Sequence, residues 1–242
     1  MIKLESSPGT HYCRHKKCWF WFTKPREVSG AAMVNFFSYH DVSLAGFIKK
    51  EGLTSVVDLT APLNTIWNNL RPKFIREQIR KGERGDITTK LNHDFIAARK
   101  LYRLFRRGRR LSFDHWPSNQ SSFLLTAYRR DQLLAMGLFV TDGIYCRAWA
   151  LASGRSTGET SRELIGQANR IIVWEAIKQT KSTGHRLFDL GGISPDSRNL
   201  HLRSLAEFKE AFGGERLKNY YYYKVYSLGL RLWFKLRRFI RL

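Results

Sequence analysis

The chain has 242 residues, enough for one large domain or two small ones with a substantial core. Its hydrophobic share of 43% and aromatic share of 14% exclude a disordered chain. Forty-two Lys and Arg against 20 Asp and Glu leave a net charge of +22, which favours polyanionic partners such as RNA, anionic lipid or phosphorylated carriers. Three cysteines, Cys13, Cys18 and Cys146, cannot build a disulfide framework and point to a reducing, cytosolic setting. No apolar run approaches the ~20 residues that span a bilayer, and the start of the chain lacks the apolar stretch of a signal peptide.

Residues 1–54 read as a basic appendage, irregular through residue 35, with WFWF at 19–22 as its apolar knot. The cluster HYCRHKKC would crowd all its ligands into one loop, whereas zinc sites draw ligand pairs from separate segments, so no metal is expected. SVVDLT (55–60) reads as a β-branched strand. A helix follows from Leu63 to Arg84, with Ile66, Trp67, Leu70, Phe74 and Ile79 inward, Pro72 as a kink or restart, and Gly82 and Gly85 as the stop. DITTKLN (86–92) alternates as a strand. The helix after it, 93–107, turns Phe95, Leu101, Leu104 and Phe105 inward. Residues 121–129, 132–142 and 144–152 form an antiparallel meander, its separators RRD and DG being hairpin signals. The longest helix runs 161–183, with Leu164, Ile165, Ala168, Ile171, Ile172, Ala176 and Ile177 on its apolar face and Gly184 as its C-cap. RLFDLGGI (186–193) is a buried strand, LRSLAEFKEAFGG a short helix, and NYYYYKVYS (219–227) the last strand. Residues 228–242 form a basic amphipathic helix, suited either to an anionic membrane surface or to packing on the domain.

This order of elements resembles the GNAT acyltransferase fold, an α/β architecture with a mixed, largely antiparallel central sheet flanked by helices. Three segments are similar to the FemABX branch, the peptidoglycan-bridge aminoacyltransferases and their acyltransferase relatives. They are LRPKFIREQIRKGERG, WEAIKQTKSTGHRLFDLGG and AEFKEAFGGE. The likeness covers roughly residues 55–227, taken as the acyltransferase domain. Bridge-forming members typically carry two such domains, and this chain has room for about one.

Acyl transfer from a thioester or aminoacyl ester to an amine needs alignment, proton removal and oxyanion stabilisation rather than covalent help from the protein. No G-x-S-x-G elbow surrounds any serine. Lys209, beside Phe208 and ahead of Gly213-Gly214, is either a lysine snorkelling over aromatic rings or the oxyanion stabiliser. The resemblance implies the second role, or contact with the tRNA end, and gives Phe208 a pocket-shaping or base-stacking part. Asp189 either orients or deprotonates the amine, or caps the loop after its strand; Gly191 and Gly192 allow close approach of a ligand or make a tight turn. Arg76 and Arg80 share a helix face with Lys73 one turn earlier, and could grip phosphates or form a solvated face. RRGRR at 106–110 either joins them or offsets the dipole at its helix's end.

The donor decides the cofactor. Arg155-x-x-Gly158-x-Thr160 partly matches the pyrophosphate loop of acetyl-CoA enzymes, yet Thr160-x-x-Glu163 reads as a capping box that uses the same amides. The expectation is therefore an acyltransferase with no tightly bound cofactor, whose donor is aminoacyl-tRNA, or alternatively acyl-CoA. The acceptor is an amine of a lipid- or nucleotide-linked envelope precursor. The location is cytoplasmic, with possible contact at the inner face of the membrane through 228–242. A membrane- or RNA-binding module without chemistry is the non-enzyme alternative.

Overall fold

The structure, a computed structural model, describes residues 4, 9–109, 111, 116, 117, 121–154, 161–230 and 232. Its strands are β1 (Thr10–Arg14), β2 (Lys17–Trp21), β3 (Met33–Ser38), β4 (Ile48–Asp58), β5 (Ile87–Leu91), β6 (Ser122–Arg129), β7 (Gln132–Thr141), β8 (Tyr145–Ser153), β9 (Leu187–Ile193) and β10 (Glu215–Val225). The helices are α1 (Leu63–Asn69), α2 (Glu77–Arg84), α3 (Phe95–Gly108), α4 (Arg162–Ser182) and α5 (Leu200–Glu210), with a π-helical turn at Pro72–Arg76. Contacts divide the chain into two units, one holding residues up to Thr54 and from Leu217 onward, the other Ser55–Arg216.

The first unit is rich in strands, in contrast to the irregular reading of residues 1–35. Its strand order is β1-β2-β3-β10-β4, with β2 parallel to β3 and the β1–β2 and β3–β10 pairs antiparallel. Aromatic residues fit a pleated, half-buried surface, and here they stack across it: Phe20 lies 4.6 Å from Phe36, and Phe37 meets Tyr221 at 5.3 Å. The consecutive tyrosines divide by the two-residue period of a strand. Tyr220 and Tyr222 enter the core with Phe20, Val34 and Phe36, whereas Tyr223 is exposed. The HYCRHKKC segment is a hairpin rather than a crowded loop. His15 and Lys16 take positive φ at the turn, placing Cys13 opposite Cys18, and these two form a disulfide. The reading that the cysteines stay reduced is thus corrected for this local pair; Cys146 is free and buried.

In the second unit the strand order is β4-β9-β8-β7-β6-β5, antiparallel from β5 to β8 and parallel at β8–β9. This is the mixed, largely antiparallel sheet of the GNAT-like α/β fold that the element order implies. One face carries α1, α2, α4 and α5, with Ile66, Leu70, Ile79, Ile172 and Phe212 packed against Phe139 and Phe188. The other carries α3, whose Ala98, Leu101 and Tyr102 meet Leu124, Met136 and Leu138. Cover on both faces explains why β7 reads as an almost unbroken apolar run. In α4 the named apolar residues are buried, apart from half-buried Leu164. Ser161 caps it by accepting from the Leu164 amide at 3.2 Å, so the cap lies one residue beyond the Thr160 of the expected capping box.

Two local readings change. The 63–84 helix is broken by Pro72 into α1, the π turn and α2. The wider π turn shifts the helical register, burying Ile75 completely and leaving Phe74 37% exposed. Gly82 lies inside α2 and does not stop it; a Cβ there would come 2.7 Å from Ile171 Cδ1. On α3 the inward stripe is Ala98, Leu101, Tyr102 and Phe105, and Leu104 falls outside it at 39% exposure.

Helix α4 comes close to the sheet at Gly137 on β7, where a Cβ would lie 2.6 Å from Ile172 Cγ2 and 2.7 Å from the Phe139 ring. Gly137→Ala should therefore lower folding free energy by about 1–3 kcal/mol through overpacking. Urea denaturation would measure it, and an unchanged midpoint would contradict this account of the α4 packing.

Candidate functional site

Parallel strands β8 and β9 share a ladder of three rungs: Tyr145 with Leu187, Cys146 with Phe188, and Arg147 with Asp189. Beyond that rung β8 runs on to Ser153 and β9 to Ile193, and they do not pair again. Each strand has a local reason to part. On β8 the register against β7 jumps from Ala148 to Ala150, so Trp149 is the extra residue of a bulge. On β9, Gly191 takes φ +89°, a conformation that side chains with a Cβ resist.

The last rung is also an ion pair. Arg147 Nη1 donates to Asp189 Oδ2, with the side chains 6% and 0% exposed. The other carboxylate oxygen accepts from the Gly191 amide at 2.6 Å. Asp189 therefore caps the turn after its strand and holds a buried cation at once. This geometry makes it a positioning group, engaged on both oxygens.

Lys209 reaches this fork from α5. That helix starts at Asn199, whose side chain accepts from the His201 amide at 2.9 Å, and its apolar side ends on fully buried Phe212. The chain then turns through Gly213, φ +75°, where a Cβ would lie 2.6 Å from the Asn69 carbonyl oxygen. Only glycine fits there, so the Gly-Gly break docks α5 against the end of α1. Lys209 Nζ donates to the Gly192 carbonyl at 2.7 Å. A Cβ on Gly191 would lie 3.1 Å from that Nζ and 3.4 Å from the Ala148 carbonyl oxygen. The ammonium thus lies between the diverging strands. Burial pushes its pKa down to about 8, the Arg147 charge pushes the same way, and Asp189 partly opposes them.

Phe208, half-buried, meets Phe212 edge-on at 5.4 Å. The Arg170 guanidinium stands 5.5 Å from the Phe208 ring and 4.6 Å from that of Phe74, and its Nε donates to the Phe74 carbonyl at 2.6 Å. Arg71 N also donates to the Ala211 carbonyl at 2.8 Å. These bonds seat the Pro72–Arg76 turn, with exposed Lys73, beside the C-terminal end of α5. Arg76 Nη1 reaches Asn68 Oδ1 at 3.5 Å, and Arg80 lies 5.6 Å from the Trp67 ring, which in turn packs on Trp174. The two arginines are thus directed to α1. Gly192 is exposed at the fork. Arg155, Gly158 and Thr160 lie outside the described residues, as do 231 and 233–242 of the expected C-terminal helix.

Two residues escaped the sequence reading. Arg147 is a charge inside the apolar run IYCRAWALA, and an ion placed there signals a buried partner. Arg170 shares spacing of four along α4 with the core residue Trp174 and with Lys178, whose ammonium lies 6.0 Å from the Trp174 ring.

No protein-family model matches the sequence, and no curated protein matches it. Solved structures do match at the level of fold. FemX is 11% identical, with TM-score 0.59 over 88% of this chain and 81% of that one. L-PGS from Bacillus licheniformis is 13% identical, with TM-score 0.53 over 95% and 84%. The C-terminal domain of a protein assigned as a lysylphosphatidylglycerol synthetase from Agrobacterium fabrum is 13% identical, with TM-score 0.55 over 89% and 80%. The resemblance seen in the sequence extends to the fold.

Asp189→Ala should cost about 3–5 kcal/mol of stability, because Arg147 stays buried without its carboxylate. Arg147→Met combined with Asp189→Leu should recover most of that loss in chemical denaturation. A double variant as unstable as Asp189→Ala would show that the pair is not the cause.

Proposed function

We propose that this protein is an acyltransferase that moves an aminoacyl group from tRNA to an amine of a lipid- or nucleotide-linked envelope precursor. The observation that carries the reading is Lys209, an ammonium held half-buried where β8 and β9 part, with its pKa lowered to about 8. At that place a carbonyl entering between the strands meets a dehydrated donor, which is worth more there than in water.

In the proposed reaction the neutral amine attacks the ester carbonyl carbon, forming the new C–N bond and putting negative charge on the carbonyl oxygen. Lys209 donates a hydrogen bond to that oxyanion. The intermediate collapses with cleavage of the C–O bond to the ribose, and the leaving oxygen takes the surplus proton of the amine. Asp189 acts through its neighbours: it fixes the Gly191 turn and keeps Arg147 in place, which sets the field at Lys209. Lys73, Arg76 and Arg80 would hold phosphates of the donor or acceptor, and Phe208 would border the pocket. The name of one fold neighbour supports an aminoacyl donor, since the Agrobacterium fabrum domain is assigned to a lysylphosphatidylglycerol synthetase.

One observation favours acyl-CoA as the alternative donor. The cap of α4 is Ser161, and Glu163 Oε1, the acid expected to complete a capping box, accepts from Gln167 Nε2 at 3.4 Å. Incubating the purified protein with labelled aminoacyl-tRNA or acyl-CoA, and a panel of amine-bearing precursors, separates the two donors. Transfer from neither would remove the enzyme reading.

Lys209→Ala should lose about 100–1,000-fold in turnover with its melting temperature kept, as expected for a missing oxyanion donor. The pH sign is fixed by the same group. The active form is the ammonium, which persists below its pKa, so the ratio of parent to Lys209→Ala kcat/KM should fall as pH rises through about 8, the acceptor amine's own titration cancelling in the ratio. A ratio that instead rises through that range would make Lys209 a base.

A further inference from the structure

Outside the fork, the most unusual surface of the second unit lies on α3 and the start of α5. Thirteen large hydrophobic residues are exposed among those described, and six of them are Ile96, Leu104, Leu111, Leu200, Leu202 and Leu205. Ile96 is 89% exposed and Leu200 68%. A shallow hollow of about 500 Å³ runs along α3, lined by Ile96 and Leu104 together with Arg99, Lys100, Arg103 and Arg107. These positions follow one another at three- and four-residue spacing, so they form one outward stripe. Arg109 Nη1 lies 2.6 Å from His201 Nε2, which brings the end of α3 to the start of α5. Residues 95–111 and 197–205 contain no Asp or Glu, and the first stretch alone carries Arg99, Lys100, Arg103, Arg106, Arg107, Arg109 and Arg110.

We propose that this α3–α5 surface docks on an anionic phospholipid bilayer. Two properties of the surface meet two properties of that partner. The excess of positive charge complements an acidic leaflet, and exposed aliphatic side chains gain by entering the acyl boundary. RNA would use the cations but gives Ile96 and Leu200 nothing to enter; single-stranded readers stack bases on aromatic rings instead. No helix among the described residues is long and apolar enough to cross a membrane, so the contact is interfacial. Lys209 lies on α5 itself, hence docking would set the fork close to a lipid-borne acceptor. The surface is independent of the acyl-transfer reading, because binding needs no turnover.

The test is flotation of the full chain with vesicles of phosphatidylglycerol and phosphatidylcholine, against phosphatidylcholine alone, at low and high salt. The parent should bind the anionic vesicles and be released by salt. Ile96→Ser with Leu200→Ser should weaken binding at least about tenfold, since each side chain loses apolar burial. Lys100→Gln with Arg103→Gln should weaken it about 25-fold, as each cation near an anionic leaflet contributes roughly fivefold. Circular dichroism should show all variants folded, and a gel shift with tRNA should leave the Ile96/Leu200 variant unchanged. Parent-like vesicle binding in either variant, or no binding by the parent, overturns the proposal. Loss of tRNA binding in the charge variant with no vesicle binding by any form would assign the surface to RNA instead.

Discussion

A guanidinium and a carboxylate withdrawn from water close the β8–β9 ladder, and the local architecture is arranged around that pair. Two buried charges lose several kcal/mol each in hydration, and their attraction offsets this only with good geometry and further hydrogen bonds. Asp189 supplies both, through Arg147 and the Gly191 amide. The cost confines the pair to one place, the last rung before the strands diverge. It also sets the electrostatics of the fork, since Arg147 lowers the Lys209 pKa and Asp189 raises it. Burial is the largest cause of the shift.

The second unit was largely legible because its signals are periodic and local. The α4 stripe, the D-G turn at Asp142-Gly143 and the Asp-Leu-Gly-Gly strand all sit where their patterns put them. The first unit was not. Its first three strands are only five or six residues long, its hairpin turns on His15-Lys16 rather than on glycine, and β2 pairs in parallel with β3. Tertiary pairing of that kind leaves no mark on a single segment. The π turn was illegible for another reason. A helical pattern assumes constant rise, and one wide turn exchanges the roles of Phe74 and Ile75. At the site, Lys209 and the two glycines could be named from sequence, but the partner of Asp189 could not. Arg147 is over forty positions earlier in the chain and becomes its neighbour only through parallel strand pairing.

The functional reading joins three physical features of the second unit. The fork supplies a half-buried donor, the turn around Phe74 brings Lys73 to the end of α5, and α3 offers an excess of positive charge. An acyl transfer between an anionic carrier and an anionic acceptor would use all of them. The likeness to FemX, to L-PGS and to the Agrobacterium fabrum domain, at identities of 11–13%, concerns the fold alone.

Titrating the Lys209 amine directly, by pH-dependent competitive labelling read out by mass spectrometry, tests whether the fork holds it out of water. Half-reaction at about pH 8 in the parent is the predicted result, with a rise in Arg147→Met, where the repelling charge is gone and Asp189 remains. A titration near 10.5 that ignores Arg147, like that of any solvated lysine, would contradict the account.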